Sequence, residues 1–238
     1  MTKLTYLWTH ESRQIAVVAS LAFASVLCGI MLVVRAIYAD VLGYSGLAWN
    51  LFLAWLPMIA ALTAYNLRKR DTRGVWVLIV PCVFLWLLFF PNAPYILTDI
   101  LHLAPRNGVP LWYDFIMLIA FAWTGTFLGL VSLYLMHMLV RRSAGGAAGW
   151  LFTLAVLALT GFGVYLGRFP RWNSWDLFFN PLELLADIWQ RARHPLAHPR
   201  PIVFSGLFSL CVTAMYLMLA AIIQFSPEGY ERRPTKAE

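Results

Sequence analysis

Six stretches of this chain contain no Asp, Glu, Lys or Arg, and each is at least 21 residues long: Gln14–Val34, Val41–Leu67, Gly74–Thr98, Phe115–Val140, Ser143–Gly167 and Pro201–Pro227. A bilayer core about 30 Å thick is crossed by roughly 20 apolar residues rising 1.5 Å each. All six stretches reach that length, and the spacers between them are too short for a separate soluble domain. The runs do not alternate polar and apolar residues as a membrane β-barrel requires, so helices are the spanning solution. The expected fold is all-α: a polytopic membrane protein forming a single integral domain over residues 1–238. Its six transmembrane helices should cover about 15–37, 44–66, 74–91, 113–140, 149–168 and 201–225, with short interfacial helices in the outer loops. Composition agrees, with 61% hydrophobic and 12% charged residues and a mean hydropathy of +0.70. A soluble domain carries about 25% charged residues, so a soluble enzyme, a disordered chain and a coiled coil are excluded.

The first run exceeds the apolar region of a signal peptide, about 7–15 residues, and no small-x-small cleavage site follows it. Leu27 before Cys28 argues against a lipoprotein signal, so the run reads as a retained first helix.

Orientation follows from the cations. With the N-terminus in the cytoplasm, the inner side holds 11: Lys3, Arg13, Arg68, Lys69, Arg70, Arg73, Arg141, Arg142, Arg232, Arg233 and Lys236. The outer side holds Arg35 and Arg106, plus Arg168, Arg171, Arg191, Arg193 and Arg200 in one unusual loop. The expected location is the cell (inner) membrane, multi-pass, with N- and C-termini cytoplasmic. The net charge of +7 and the pI of about 9.6 then reflect loops facing anionic lipid. Membrane lipids are the expected partners, and no nucleic acid is needed. Cys28, Cys82 and Cys211 lie singly inside apolar runs and imply no disulfide or metal cluster. No particular cofactor is implied.

Inside the spans, Gly125 and Gly129 form one G-x-x-x-G and Gly163 and Gly167 another, a spacing that lets helix backbones approach closely. Pro57 and Pro81 should kink their helices. Trp49, Trp76, Trp112 and Trp150 fall near interfaces. His137, one turn before Arg141, reads as an interfacial histidine.

Polar chemistry concentrates in two outer segments. The first runs from Phe90-Pro91-Asn92-Ala93-Pro94-Tyr95 to His102. Pro91 should stop or bend helix three, and Asn92 can cap a new short helix. On it Tyr95, Thr98, Asp99 and His102 share a face, so Asp99 can orient or charge His102, or the stripe can simply meet water. Asp114, in Trp112-Tyr113-Asp114, suits the first turn of helix four or a catalytic role. The second segment is Gly167-Arg168-Phe169-Pro170-Arg171-Trp172-Asn173-Ser174-Trp175-Asp176. Its two arginines oppose the positive-inside trend. They can hold a phosphate or carboxylate in bidentate fashion, or pair with Asp99, Asp114 or Asp176. Trp172 and Trp175 can stack on a sugar or on arginine, or anchor at the interface. Because both segments leave the membrane at a Phe-Pro, they are expected to fold back together. Asn180-Pro181-Leu182-Glu183 opens an amphipathic helix expected to lie flat on the outer surface. Beyond it Pro195 and Pro199 break the alignment His194 and His198 would need to share a metal.

These segments, from Phe90 to Asp99 with His102, Trp112-Tyr113-Asp114 and Gly167 to Asp176, resemble the membrane-protein family catalogued as domain of unknown function 1361. The resemblance covers roughly helix two to helix six and implies a multi-pass membrane protein of prokaryotic type. It brings no activity or catalytic residue with it.

Three functions fit. The first is an outward-facing pocket that binds or processes an anionic lipid-linked or glycan headgroup. Asp99, His102, Asp114 and Asp176 would serve as catalytic groups, and Asn92, Tyr95, Arg168, Arg171, Trp172, Asn173 and Trp175 would bind substrate. The second is a small-solute transporter or channel, whose path Thr63, Thr124, Thr126 and Thr160 could line. The third is a scaffold in an envelope complex. A cleft holding Asp99, His102 and Arg168 favours the first, a continuous polar path the second, and fully paired motifs without a cavity the third.

Overall fold

The computed structural model describes residues 3–69, 74–193 and 199–224. Arg70, Arg73, His194, Pro195, His198, Arg232, Arg233 and Lys236 lie outside the described residues, as do the side chains of Lys3 and Arg191. The described chain is helical and contains no strand. Its elements are α1 (Lys3–Ala39), α2 (Ser45–Arg68), α3 (Trp76–Phe89), α4 (Asn92–Tyr95), a 3₁₀ segment (Ile96–His102), α5 (Leu111–Ala144), α6 (Gly146–Arg168), α7 (Asp176–Phe179), α8 (Pro181–Arg193) and α9 (Pro199–Gln224). Six stretches are long and apolar enough to cross a membrane: Ser12–Ala39, Ser45–Arg68, Trp76–His102, Leu111–Ala144, Gly146–Arg168 and Pro199–Gln224.

α1 begins well before the expected residue 15, because neither Gly nor Pro interrupts the chain between Lys3 and Cys28. α5 is the most enclosed span and acts as the axis, while α1 and α9 are the least enclosed. Large apolar side chains on their outer faces, Phe23, Ile37, Leu210 and Ile222 among them, are exposed in the way a lipid-facing surface requires. One core cluster joins Trp86, Leu133, Leu157 and Tyr216; the other joins Cys28, Met58, Ile96, Met117 and Phe121. α5 and α6 are joined through Gly145 alone, at φ 93°, a left-handed backbone that a side chain would strain.

The third span departs from expectation. α3 has only 14 residues, a length of about 21 Å at 1.5 Å per residue, too short to cross alone. The helix breaks at Pro91, as its sequence suggests, and the apolar stretch continues past it through α4 and the 3₁₀ segment. Its neighbours along α5 give the path. Trp86 donates a hydrogen bond to Ser132 at 3.1 Å, Ala93 lies against Gly129, and Ile96 against Gly125. The third span therefore climbs antiparallel to α5 and is interrupted midway. The two G-x-x-x-G patterns explain how so irregular a segment is held. A Cβ at Gly125 would sit 2.5 Å from Ile96 Cδ1, and one at Gly129 3.0 Å from Ala93 Cβ. A Cβ at Gly163 or Gly167 on α6 would lie 3.2 Å from Pro91 or from the Tyr95 ring. Glycine on two helices thus makes the slot for the broken span, rather than a helix–helix seam.

Two further expectations change. Asn92 does not cap α4: its side-chain amide donates backward to Phe89 O at 3.1 Å and to Ser174 Oγ at 3.0 Å. His137 is buried rather than interfacial, with Nδ1 2.6 Å from the Tyr216 hydroxyl and the ring edge-on to Trp150. α8 occupies the segment expected to lie along the surface, and exposes Leu182, Leu185 and Trp189. α1 and α9 begin and end on the same side of the bundle, opposite the polar motifs: Arg13 of α1 and Ile223 of α9 border one cavity there.

Candidate functional site

The motif face is organised around Arg168, the last residue of α6. Its side chain reaches across to the 3₁₀ segment. Nη1 lies 3.2 Å from Asp99 Oδ1, 3.3 Å from the Tyr95 hydroxyl and 3.0 Å from His102 Nε2, while Nη2 donates to the Thr98 carbonyl. The guanidinium also lies 5.3 Å from the centroid of the Tyr95 ring. A 3₁₀ helix repeats every three residues, so Asp99 and His102 stack on one edge and face the same arginine. Guanidinium can only donate, so at this contact Nε2 of His102 is placed as the acceptor. The two protons on Nη1 face three acceptors, which makes this nitrogen a hub able to re-pair when a stronger acceptor arrives.

α2 supplies the other wall. Asn50 donates to Asp99 Oδ2 at 2.8 Å, so each carboxylate oxygen has its own donor. Tyr44, in a left-handed conformation at the start of α2, donates its hydroxyl proton to His102 O at 3.1 Å. A cleft of about 420 Å³ opens among Tyr44, Asn50, Tyr95, Asp99, His102, Arg106 and Arg168. A second cavity of about 260 Å³ adjoins it, sharing Asn50 and Tyr95 and lined also by Trp49, Asn92, Trp172, Asn173 and Ser174. With two arginines against one aspartate, the larger cleft has an excess of cationic side chains.

The two motif segments do meet. Besides Arg168, Ser174 bridges them: it donates to Leu88 O at 3.0 Å and accepts from Asn92. The carbonyls freed where α3 breaks are thereby filled by side chains, Leu88 O by Ser174 and Phe89 O by Asn92. Arg171, at φ 65°, turns the loop so that Trp172 N–H returns to Leu166 O at 3.0 Å. Arg171 itself is exposed and lines neither cavity. Trp172 donates its indole N–H to Asp187 of α8 at 2.9 Å, and Trp175 lies 6.3 Å from the Trp49 ring.

The structure does not bring Asp114 or Asp176 to the cleft. Asp176 accepts from the Asn173 backbone at 2.7 Å and from Asn180 at 3.5 Å, which closes its own turn. Asp114 takes a bidentate pair from Arg35 of α1, at 2.6 and 3.0 Å, with both side chains sealed from solvent. Among the described residues no three His, Cys, Asp or Glu side chains converge. Asn50, Tyr44 and Arg106 escaped sequence reasoning. Asn50 could have been found as a side-chain amide inside an otherwise apolar span, near its motif-side end. Arg35 was visible only as a charge near the end of span one.

A family model described as "Protein of unknown function (DUF1361)" matches residues 49–215, and the chain belongs to that family. Comparison with curated proteins and with solved structures returns no match.

Proposed function

We propose that this DUF1361 membrane protein binds the anionic headgroup of a membrane amphiphile, lipid-linked phosphate or glycan, in the cleft at the broken third span. One observation carries the reading: a cationic cleft of about 420 Å³ holds Arg168, Arg106, His102 and Asp99 together where a headgroup would lie. That volume is within the roughly 300–1,000 Å³ of small-molecule sites. Contacts with Thr98 O, Asp99 and Tyr95 orient the Arg168 guanidinium before a ligand arrives. Arg106 supplies a second cation at the rim. His102, exposed, can accept a proton on Nε2 only once a bound anion draws Arg168 Nη1 away from it, with Asp99 across the shared arginine. Asn92, Tyr95, Trp172, Asn173 and Trp175 shape the adjoining cavity for a sugar or second group, and Arg171 attracts the anion from the surface. Asp114 and Asp176 serve as local clasps.

We place the protein in a prokaryotic cell membrane with both termini in the cytoplasm and the cleft facing out. The cations support this: Arg13, Arg68, Lys69, Arg141 and Arg142 gather opposite the motifs. On a cysteine-free background, Asn107→Cys should react with an impermeant thiol reagent in intact cells, and Ser143→Cys should not.

A transporter is the second reading, favoured by the interrupted span, a device of secondary carriers. In carriers the unwound carbonyls coordinate the cargo, whereas here Leu88 O and Phe89 O accept from Ser174 and Asn92. The test is mass spectrometry of lipids and metabolites retained by the protein purified in mild detergent. An anionic amphiphile should be enriched on the wild type and depleted in Arg168→Lys and His102→Ala. Identical profiles in folded variants would end the headgroup reading.

A further inference from the structure

We infer a second lipid site at the end of the bundle opposite the motifs: a groove that takes one acyl chain of an anionic phospholipid and holds its phosphate between Arg13 and Arg142. A cavity of about 590 Å³ opens there between α1, α2, α5 and α9. Its walls are apolar, with Leu21, Met58, Val131 and Leu135 among them, and Arg13, Gln14 and Arg142 stand at its mouth.

Among the described residues, the side-chain ties of α1 to the bundle lie mainly in its second half. Ser25 accepts from Trp55, Cys28 meets Thr124, Met31 O accepts from Tyr113, and Arg35 pairs with Asp114. Toward Arg13 the helix stands away from α5, and a wedge is left between them. A dry apolar wedge inside a bilayer is filled by hydrocarbon, since its lining otherwise lacks contacts on one side.

The mouth specifies the headgroup. Arg142 lies 5.0 Å and Lys69 5.2 Å from the Tyr65 ring centroid, so two cations share one ring. Lys69 Nζ is also 3.4 Å from Gln14 Oε1. Among the described residues no carboxylate lines the cavity. Gln14 Nε2 is buried with no hydrogen-bond partner among the described residues, a donor awaiting an oxygen. A phosphodiester supplies both the missing charge and the missing acceptor. This site is independent of the headgroup reading above.

The test uses the full chain in nanodiscs containing phosphatidylglycerol or phosphatidylcholine with a photoactivatable diazirine on the acyl chain. Phosphatidylglycerol should label peptides carrying Leu21, Met58 and Val131 several-fold more than phosphatidylcholine. Arg13 is exposed, so Arg13→Gln keeps the fold; it should cut that labelling roughly fivefold, as expected for about 1 kcal/mol per cation at an anionic lipid surface. Arg142→Gln should act similarly. Arg168→Lys, at the other face, should leave groove labelling unchanged. Equal labelling by the two lipids, insensitivity to Arg13→Gln with Arg142→Gln, or competition by soluble glycerol phosphate would each overturn the site.

Discussion

Two arginine–aspartate pairs sit on the motif side, and they are built differently. Arg35 and Asp114 form a parallel two-bond pair at 2.6 and 3.0 Å, with side chains 0% and 1% exposed. Arg168 and Asp99 touch once, at 3.2 Å, with side chains 9% and 8% exposed. The first gives both carboxylate oxygens to one arginine, through Nε and Nη2, and ties α1 to α5; Arg35 Nη1, beside the Tyr44 ring, has no hydrogen-bond partner among the described residues. The second divides each group among several neighbours: Asp99 between Arg168 and Asn50, Arg168 among Thr98, Tyr95, Asp99 and His102. It also borders an open cleft. Identical residue types on the motif side thus make a sealed two-bond pair in one place and, in the other, a pair shared among several neighbours beside a cleft. Pairing alone does not tell the two apart; the number of partners and the size of the space beside them do, about 420 Å³ beside Arg168 against about 180 Å³ beside Arg35.

The largest effect should come from breaking the clasp. Arg35→Ala or Asp114→Ala leaves an unpaired charge out of water and should cost about 3–5 kcal/mol, seen as a lower denaturation midpoint in detergent and faster proteolysis of α1. Arg35→Met with Asp114→Leu should recover most of that loss. If the single substitutions cost nothing, the clasp is not one.

Next in size is the slot that holds the broken span. Gly125→Leu forces a Cβ into Ile96 Cδ1 and the Ala93 carbonyl, and should cost about 1–3 kcal/mol while displacing the 3₁₀ segment. Headgroup retention should fall along with stability. Smaller still, Ser174→Ala or Asn92→Ala uncovers one carbonyl where α3 breaks and should cost about 1–2 kcal/mol. The smallest stability effect belongs to His102→Ala, within about 0.5 kcal/mol because the residue is exposed. That variant sharpens the comparison, since it should lose ligand while keeping its denaturation midpoint.

The spans were legible because charge is excluded from lipid, and six uncharged runs cannot be placed otherwise. The meeting of the two motif segments was legible too, from polar groups crowded beside two arginines that depart from the charge bias of the other loops. In the third span the break at Pro91 was legible as a stop or bend followed by a short helix; the span's continuation through α4 and the 3₁₀ segment was not. Its run, Gly74–Thr98, is uncharged throughout, and Pro91 in such a run signals an exit as readily as an interruption. What decides is the glycine slot on α5 and α6, known only once the helices are packed. Arg35 and Asp114 are 79 residues apart, and no local pattern links them. Asp114 and Asp176 look like Asp99 in sequence; the difference lies in partners that tertiary structure assigns.

The central claim is that the Arg168 pair is a site and the Arg35 pair is not. Two double variants test it: Arg168→Met with Asp99→Leu, and Arg35→Met with Asp114→Leu, each replacing an ion pair by apolar groups and so keeping the fold. The measurement is the anionic amphiphile retained per mole of protein, by mass spectrometry, on samples matched for helix content and elution volume. The account predicts loss from the Arg168 variant and wild-type retention by the Arg35 variant. Equal retention by both, or greater loss from the Arg35 variant, would contradict it.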